Sequence, residues 1–230
     1  MNDTAKRTAP RQADTTRVRL LDAAEGLFAD RGYHAVSMRD IASRARVNLA
    51  AAGYHFGSKE KLFIEALVRR VRPLNARRLE TLSALERRKT PPALSDVLDA
   101  FARAMIEEAL CDQESGRRLH RLLSRAFAES DEIARVIFRD ELLQVALRFL
   151  EAIRRACPNL TTEQAGLGLA LYAGCVVHML RWAVSPPFPE LKHAIGSPDA
   201  DALMRMLVAF GTAGFRELAA PAKARRKGKA

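Results

Sequence analysis

An all-α protein of two parts is what this 230-residue chain predicts, and three observations carry the prediction. Apolar residues recur at helical spacing along most of its length, and no alternating strand pattern competes with them. The stretch from Ser37 to Lys59 reads as two short helices joined by a tight turn, with a third helix starting at its end. The formal charge of +11 is not spread evenly. Residues 1–72 hold 14 Lys/Arg against 8 Asp/Glu, residues 223–230 hold five basic residues and no acid, and everything between is balanced at 19 of each. A surplus confined to one domain and one terminus is what a molecule facing a polyanion with only part of its surface would carry.

The first helix runs from a Thr16 cap to Gly32, a residue suited to end it. Leu20, Leu21, Ala24, Leu27 and Phe28 form its buried stripe. Ser37 then caps a short helix, its hydroxyl accepting from first-turn N–H groups, and Met38, Ile41, Ala42 and Ala45 make one face apolar. Arg46 and Val47 fall at the turn, and Asn48 caps the next helix, which passes Ala50, Ala51 and Ala52 toward Phe56. Its outward face carries Leu49, Ala50, Gly53, Tyr54 and His55. Small residues there let the backbone approach a duplex, Asn48 and Tyr54 bring hydrogen-bonding groups, and Leu49 and the alanines suit thymine methyl groups. Gly57-Ser58 ends this helix and caps one opening at Lys59, where the helix dipole favours a phosphate. Two helices in this geometry place one in a DNA groove while their neighbours grip the backbone.

These residues resemble the DNA-binding domain of the tetracycline-repressor (TetR) family of bacterial transcription regulators. The likeness lies in an ordered series covering about a fifth of the chain: Leu21-Asp22-Ala23-Ala24-Glu25, Leu27-Phe28-Ala29-Asp30-Arg31-Gly32-Tyr33, Ser37-Met38-Arg39-Asp40-Ile41-Ala42, Val47, and Tyr54-His55-Phe56-Gly57-Ser58-Lys59-Glu60. The resemblance implies that Ser37, Tyr54, His55 and Lys59 hold phosphates, that Arg39 reaches a base edge, and that Asn48, Leu49, Ala50 and Ala51 sit in the major groove. With Thr16, Arg17, Met38 and Gly53 these make the candidate DNA-contact set. Many members carry Leu-Tyr where this chain has Ala52-Gly53, so a tyrosine contact of those relatives is missing, and Gly53 weakens its helix by roughly 1 kcal/mol relative to alanine. The Asn-Leu-Ala-Ala form is most similar to a subgroup that includes fatty-acid-sensing repressors of the PsrA type.

Beyond Lys59 the expected helices are a linking helix kinked or divided at Pro73, then Leu74 to Arg88, Leu94 to Leu110, Ser115 to Ala128, a long segment from a Ser130-Asp131 cap to just before Pro158, Thr161 or Thr162 to Val184, and Pro198 to Leu218. Ser185-Pro186-Pro187-Phe188-Pro189 makes a rigid loop. The expected organisation is a disordered basic arm (1–14), a helix-turn-helix domain (15–60), a helical ligand-sensing and dimerisation domain (61–220) and a disordered basic tail (221–230).

Ala165 to Leu180 carries no Asp, Glu, Lys or Arg, yet it is shorter than the roughly 20 residues a membrane span needs. Its small residues Gly166, Gly168, Ala170, Ala173 and Gly174, matched by Ala209, Gly211, Ala213 and Gly214 in the last helix, suit close helix approach. A four-helix dimer interface follows, with Gly166, Gly168, Tyr172, Gly174, Cys175, Met179, Met206, Ala209, Phe210 and Ala213 as its candidates; the resemblance implies the same arrangement. Packing within one subunit is the other reading. A two-fold dimer would present recognition helices to successive major grooves about 34–36 Å apart, so the operator is expected to be an inverted repeat.

Polar residues set in apolar helices are the candidate ligand contacts: His120, Arg121, Arg125, Tyr172, His178, Arg181 and Trp182. An apolar cavity with one or two cations would suit a fatty acid or its acyl thioester. Cys111, Cys157 and Cys175 fit neither metal nor redox spacing and are expected as reduced core residues of a cytoplasmic, nucleoid-associated protein. No cofactor or metal is expected. A glycine-rich phosphate loop, a metal-spaced cluster and a nucleophile elbow are all absent from the sequence, which argues against an enzyme. The expected function is a ligand-relieved repressor acting as a homodimer on DNA, away from membranes. The alternative is a non-specific nucleic-acid or membrane-surface binder driven by Lys223 to Lys229.

Overall fold

The computed structural model describes residues 5–128, 138–184 and 199–220, with side chains for most of them. All regular structure among these residues is helical: α1 (Ala5–Arg31), α2 (Met38–Ala45), α3 (Leu49–Phe56), α4 (Lys59–Glu86), α5 (Leu94–Cys111), α6 (Gln113–Ala128), a π-helical turn (Phe138–Leu142), α7 (Leu143–Ala156), α8 (Thr162–Val184) and α9 (Ala200–Ala219). The Ser130-Asp131 cap, the Ser185–Pro189 loop, Pro198 and the basic tail lie outside the described residues.

Contacts divide the chain into two compact units, residues 1–72 with 118–138, and residues 73–117 with 139–230. In the first, Leu20, Ala24, Leu27 and Phe28 of α1 meet Ile41 and Ala42 of α2, Ala52 and Phe56 of α3, and Leu62, Phe63 and Ala66 of α4, all buried. Phe28 and Phe63 pack edge to face with centroids 4.9 Å apart. Glu25 is buried on α1, with Arg70 at 3.6 Å and Arg69 at 3.8 Å. Removing those cations would strand a buried carboxylate, which is far costlier than losing an exposed pair.

The helix expected to start at Thr16 instead starts at Ala5, so residues 5–14, expected as a disordered arm, are helical backbone continuous with α1. Alanine, lysine, arginine and glutamine are good helix formers, and propagating a helix already nucleated costs little. α4 likewise runs unbroken through Pro73, where a kink or division was expected. The proline removes one backbone donor there, and the boundary between the two units falls between Arg72 and Pro73.

The second unit is built around α5, which contacts α7, α8 and α9. Val97, Leu98, Phe101, Ala102, Met105 and Ile106 are buried on it, with Phe149 from α7, Tyr172 and Val176 from α8, and Leu203, Leu207 and Phe215 from α9. Tyr172 donates its hydroxyl to the Leu98 carbonyl at 3.2 Å, and burial raises its pKa. Two glycines permit this packing. A Cβ at Gly168 would run into the Phe215 ring, and one at Gly211 would stand 2.7 Å from the Tyr172 ring.

Gly168, Gly211 and Tyr172 are therefore corrected: they pack inside one subunit rather than at an interface. The cysteines are also not core residues, since Cys111 is exposed and Cys157 and Cys175 are half-buried; all three are free thiols. No described helix is long and apolar enough to cross a membrane.

Replacing Gly168 by Ala forces a methyl group against an aromatic ring in a filled core. It should lower unfolding stability by about 1–3 kcal/mol, measured as a shift in denaturant midpoint. At Gly53, where an added Cβ meets nothing within 4 Å, the same change should instead stabilise by up to about 1 kcal/mol.

Candidate DNA-binding surface

The surface is organised by the turn between α2 and α3. Ser37 and Asp40 form a reciprocal capping box: the Asp40 N–H donates to Ser37 Oγ at 3.2 Å, and the Asp40 carboxylate accepts from the Ser37 N–H at 2.8 Å and its hydroxyl at 2.5 Å. Those bonds from Ser37, side chain first and backbone next, hold the Asp40 pKa below its ordinary value. At the other end of α2, Arg46 adopts φ 57 and ψ 46 and is the only non-glycine residue with positive φ among the described residues. Its N–H closes the helix on the Ala42 and Ser43 carbonyls, and its own carbonyl accepts from Arg19 Nη2 at 3.0 Å. Asn48 then caps α3, its Oδ1 accepting from the Ala51 N–H at 2.6 Å.

These contacts fix the roll of α3. Ala52 and Phe56 point into the core, so Leu49, Ala50, Gly53 and Tyr54 point out, with Ala51 and His55 half-buried at the flanks. Tyr54 is 88% exposed and Leu49 44%. An aromatic hydroxyl in such a position is free to donate or accept beyond the protein. Gly57, with φ 72, ends the helix, and Ser58 Oγ accepts from the Lys61 N–H at the start of α4.

The remaining candidates fall in two groups. Arg39 is exposed beside the α2 N-terminus, with Met38 half-buried next to it. Lys59 and Arg17 are both engaged. Lys59 Nζ donates to the Tyr33 carbonyl at 3.1 Å and lies 4.1 Å from the Tyr33 ring centroid. Arg17 pairs with Glu65 and sits over the Phe56 ring at 5.4 Å. Thr16 is half-buried. Ser37 and Asn48 spend a side-chain oxygen on capping, so any further bond from them uses remaining capacity. Arg19 and Tyr33 were missed as members of this surface. No local pattern reveals them, because each acts on a residue 26 or 27 positions away.

The candidate ligand contacts do not assemble into one cavity. Arg121 pairs with Asp30 at 3.2 Å, and Arg125 donates to the Ala29 and Asp30 carbonyls at 3.2 and 3.1 Å. Both are cations at the C-terminal end of α1, where the helix dipole and unpaired carbonyls favour them. His120 Nε2 lies 3.1 Å from Ser124 Oγ. Tyr172 is spent on the core, and His178 is exposed. The side chains of Arg181 and Trp182 lie outside those described.

Of the candidate interface residues, Gly174, Met206, Ala209, Phe210 and Ala213 are exposed, and Gly166, Cys175 and Met179 are half-buried. Leu167 and Leu171, which the small-residue pattern passed over, are 60% and 68% exposed.

A family model for the N-terminal domain of bacterial regulatory proteins of the TetR family matches residues 20–66, and a model for the tetracyclin repressor-like C-terminal domain matches residues 99–214. The chain belongs to the TetR family. It is a DNA-binding transcriptional regulator of that family, and the curated relatives bear this out over part of their length. The transcriptional activator FasR of Mycolicibacterium smegmatis is 47% identical over 58 residues, 25% of this chain and 26% of the relative. The repressor KstR of Rhodococcus jostii is 30% identical over 129 residues, 54% and 56% of the two chains. The chain thus spans about a quarter to a half of the length of these relatives. Among solved structures, the fatty acid degradation regulator FadR from Bacillus halodurans has a TM-score of 0.64 at 16% identity, covering 87% of this chain and 96% of that one. NalD, the secondary repressor of a multidrug efflux pump in Pseudomonas aeruginosa, has a TM-score of 0.62 at 23% identity, covering 88% and 97%. At such identities the structural likeness speaks to the fold.

Two predictions follow from this TetR-family helix-turn-helix. Ser37→Ala should cost about 1 kcal/mol through the lost cap. It should also move the Asp40 pKa up toward its ordinary value, read by carboxyl-carbon NMR titration. Because the folded-state value is depressed, the stabilisation from Asp40 is present at neutral pH and lost as pH falls through the carboxylate range. Separately, Arg46→Gly should stabilise the fold by roughly 0.5–1 kcal/mol by relieving a left-handed backbone, measured in chemical denaturation.

Proposed function

We propose that this protein is a repressor that binds an inverted-repeat operator as a homodimer and releases it when a small-molecule effector occupies the second unit. The observation that carries the DNA half of this reading is the outward face of α3. Leu49, Ala50, Gly53 and Tyr54 point away from a core that buries Ala52 and Phe56. A nearly fully exposed tyrosine beside an open glycine serves no packing purpose, whereas it suits a helix laid in a major groove. Arg39 at the α2 N-terminus would reach a base edge. Tyr54, His55, Ser37 and Lys59 would contact phosphates, Lys59 with the donors that Tyr33 leaves unused. NalD and KstR are named as repressors, which favours repression over activation.

The dimer reading rests on exposed apolar surface. Leu167 and Leu171 on α8, and Met206 and Phe210 on α9, leave four large apolar side chains open on two helices that pack together. Gly174, Ala209 and Ala213 lie among them and let a second backbone approach. A patch of this kind is characteristic of an interface rather than of a solvated face.

Selection of binding sites from random duplex DNA tests the first half. The protein should enrich an inverted repeat, and Tyr54→Ala should weaken binding at least several-fold while leaving the unfolding midpoint within about 0.5 kcal/mol, since the residue is exposed. Binding without sequence preference, unchanged in that variant but lost on deleting residues 221–230, would replace this reading with a tail-driven one. For the second half, Leu171→Glu should convert the dimer to a folded monomer in sedimentation equilibrium.

A further inference from the structure

The core of the second unit contains a cation that packing alone does not explain. Arg78, on α4, is 3% exposed. Its Nε donates to the Phe101 carbonyl at 2.6 Å, Nη1 to Asn75 Oδ1 at 3.2 Å, and Nη2 reaches only the Met105 thioether at 3.9 Å. The guanidinium carbon lies 4.4 Å from the Phe101 ring centroid. Every one of these partners is neutral, and no carboxylate pairs with Arg78 among the described residues. Guanidinium has five N–H donors, so three bonds, one of them to sulfur, leave it under-used.

Burial lowers the pKa of Arg78 to about 10, which still leaves it charged at neutral pH. An ion taken out of water without a counter-ion is costly, and neutral hydrogen bonds offset that only in part. A leucine or methionine would fill the same space without that penalty. The surroundings are also organised to hold the group still. Asn75, itself buried, accepts from Arg78 and donates to the Glu141 carbonyl at 2.8 Å, within the π-helical turn. Such turns interrupt regular helix hydrogen bonding and recur at functional sites. Phe101 is packed at 5.2 Å against Phe149 and at 6.0 Å against Tyr172, so the wall beside the cation is aromatic.

We infer that Arg78 is the anchor for the carboxylate of an apolar-tailed monoanionic effector, with Asn75 positioning the guanidinium and Phe101 and Met105 flanking the head group. A single planar fork matches one carboxylate bidentately, whereas a phosphate dianion would leave charge unmatched in this setting. The apolar wall selects an alkyl or aryl body over a hydrophilic acid. This inference rests on the effector-responsive reading above and gives that reading a chemical class and a residue.

The test uses the full-length protein with octanoate, decanoate and 4-phenylbutanoate, each set against its matched neutral alcohol, in thermal unfolding and in operator binding. At least one carboxylate should raise the Tm of the wild type in a dose-dependent way while its alcohol does not. Arg78→Gln should weaken that binding by roughly 10–100-fold, as expected for a lost charge-assisted bond. Arg78→Lys keeps the charge without the fork; it should retain part of the effect, and it serves if the glutamine variant does not fold. The inference is overturned if no carboxylate exceeds its alcohol in the wild type, or if both variants respond as the wild type does. If a carboxylate binds through Arg78 but leaves operator affinity unchanged, the anchor stands and ligand-relieved repression falls. If it releases operator equally from wild type and both variants, ligand relief stands and the Arg78 anchor falls.

Discussion

An eight-residue helix has no stability of its own in water, and α3 is that short. Its existence and its direction are borrowed from two buried side chains, Ala52 and Phe56, and from the turn that delivers it. The turn is specified at three consecutive points. The Ser37–Asp40 box sets where α2 begins, Arg46 stops it in a left-handed conformation, and Asn48 starts α3 two residues later. Arg19 reaches across from α1 to hold the Arg46 carbonyl, tying the turn to the longest helix of the unit. Everything this surface presents outward depends on that chain of local bonds, because a rotation of α3 by one residue would bury Tyr54 and expose Phe56.

The cations of the first unit divide by task. Arg69 and Arg70 neutralise the buried Glu25, Arg17 pairs with Glu65, and Arg121 and Arg125 close the C-terminal end of α1. These are stabilising roles that use charge internally, which is why the surplus counted in the sequence overstates what is available to a partner. Lys59 is intermediate, steadied by the Tyr33 carbonyl and ring yet carrying donors to spare. A cation fixed in place loses less freedom on meeting a phosphate than one at the end of a mobile chain.

The second unit contrasts two kinds of glycine and two kinds of polar residue. Gly168 and Gly211 give their space to Phe215 and Tyr172, while Gly166 and Gly174 meet nothing nearby. The Tyr172 hydroxyl is satisfied by a backbone carbonyl. Arg78 has partners but no opposite charge, a state that proteins tolerate at positions serving something beyond packing.

Local patterns carried much of this protein. The capping residues Ser37 and Asn48, the apolar stripes, the Gly57 stop and the outward set on α3 all follow from spacing within a few residues, because a helix is a local structure with a fixed period. The same logic misplaced what depends on distant partners. Residues 5–14 joined a helix already nucleated downstream, and Pro73 stayed inside one. Gly168 and Tyr172 turned inward, while Leu167 and Leu171 turned out, because a segment apolar all round has no period from which to read its orientation. Arg121 and Arg125 were legible as cations, but their carbonyl partners on α1 lie more than ninety residues away. Sequence by itself determined the helices, the turn and the face of α3. Only the tertiary structure decided which polar groups were consumed internally, since that depends on which distant backbone groups are brought within hydrogen-bonding reach.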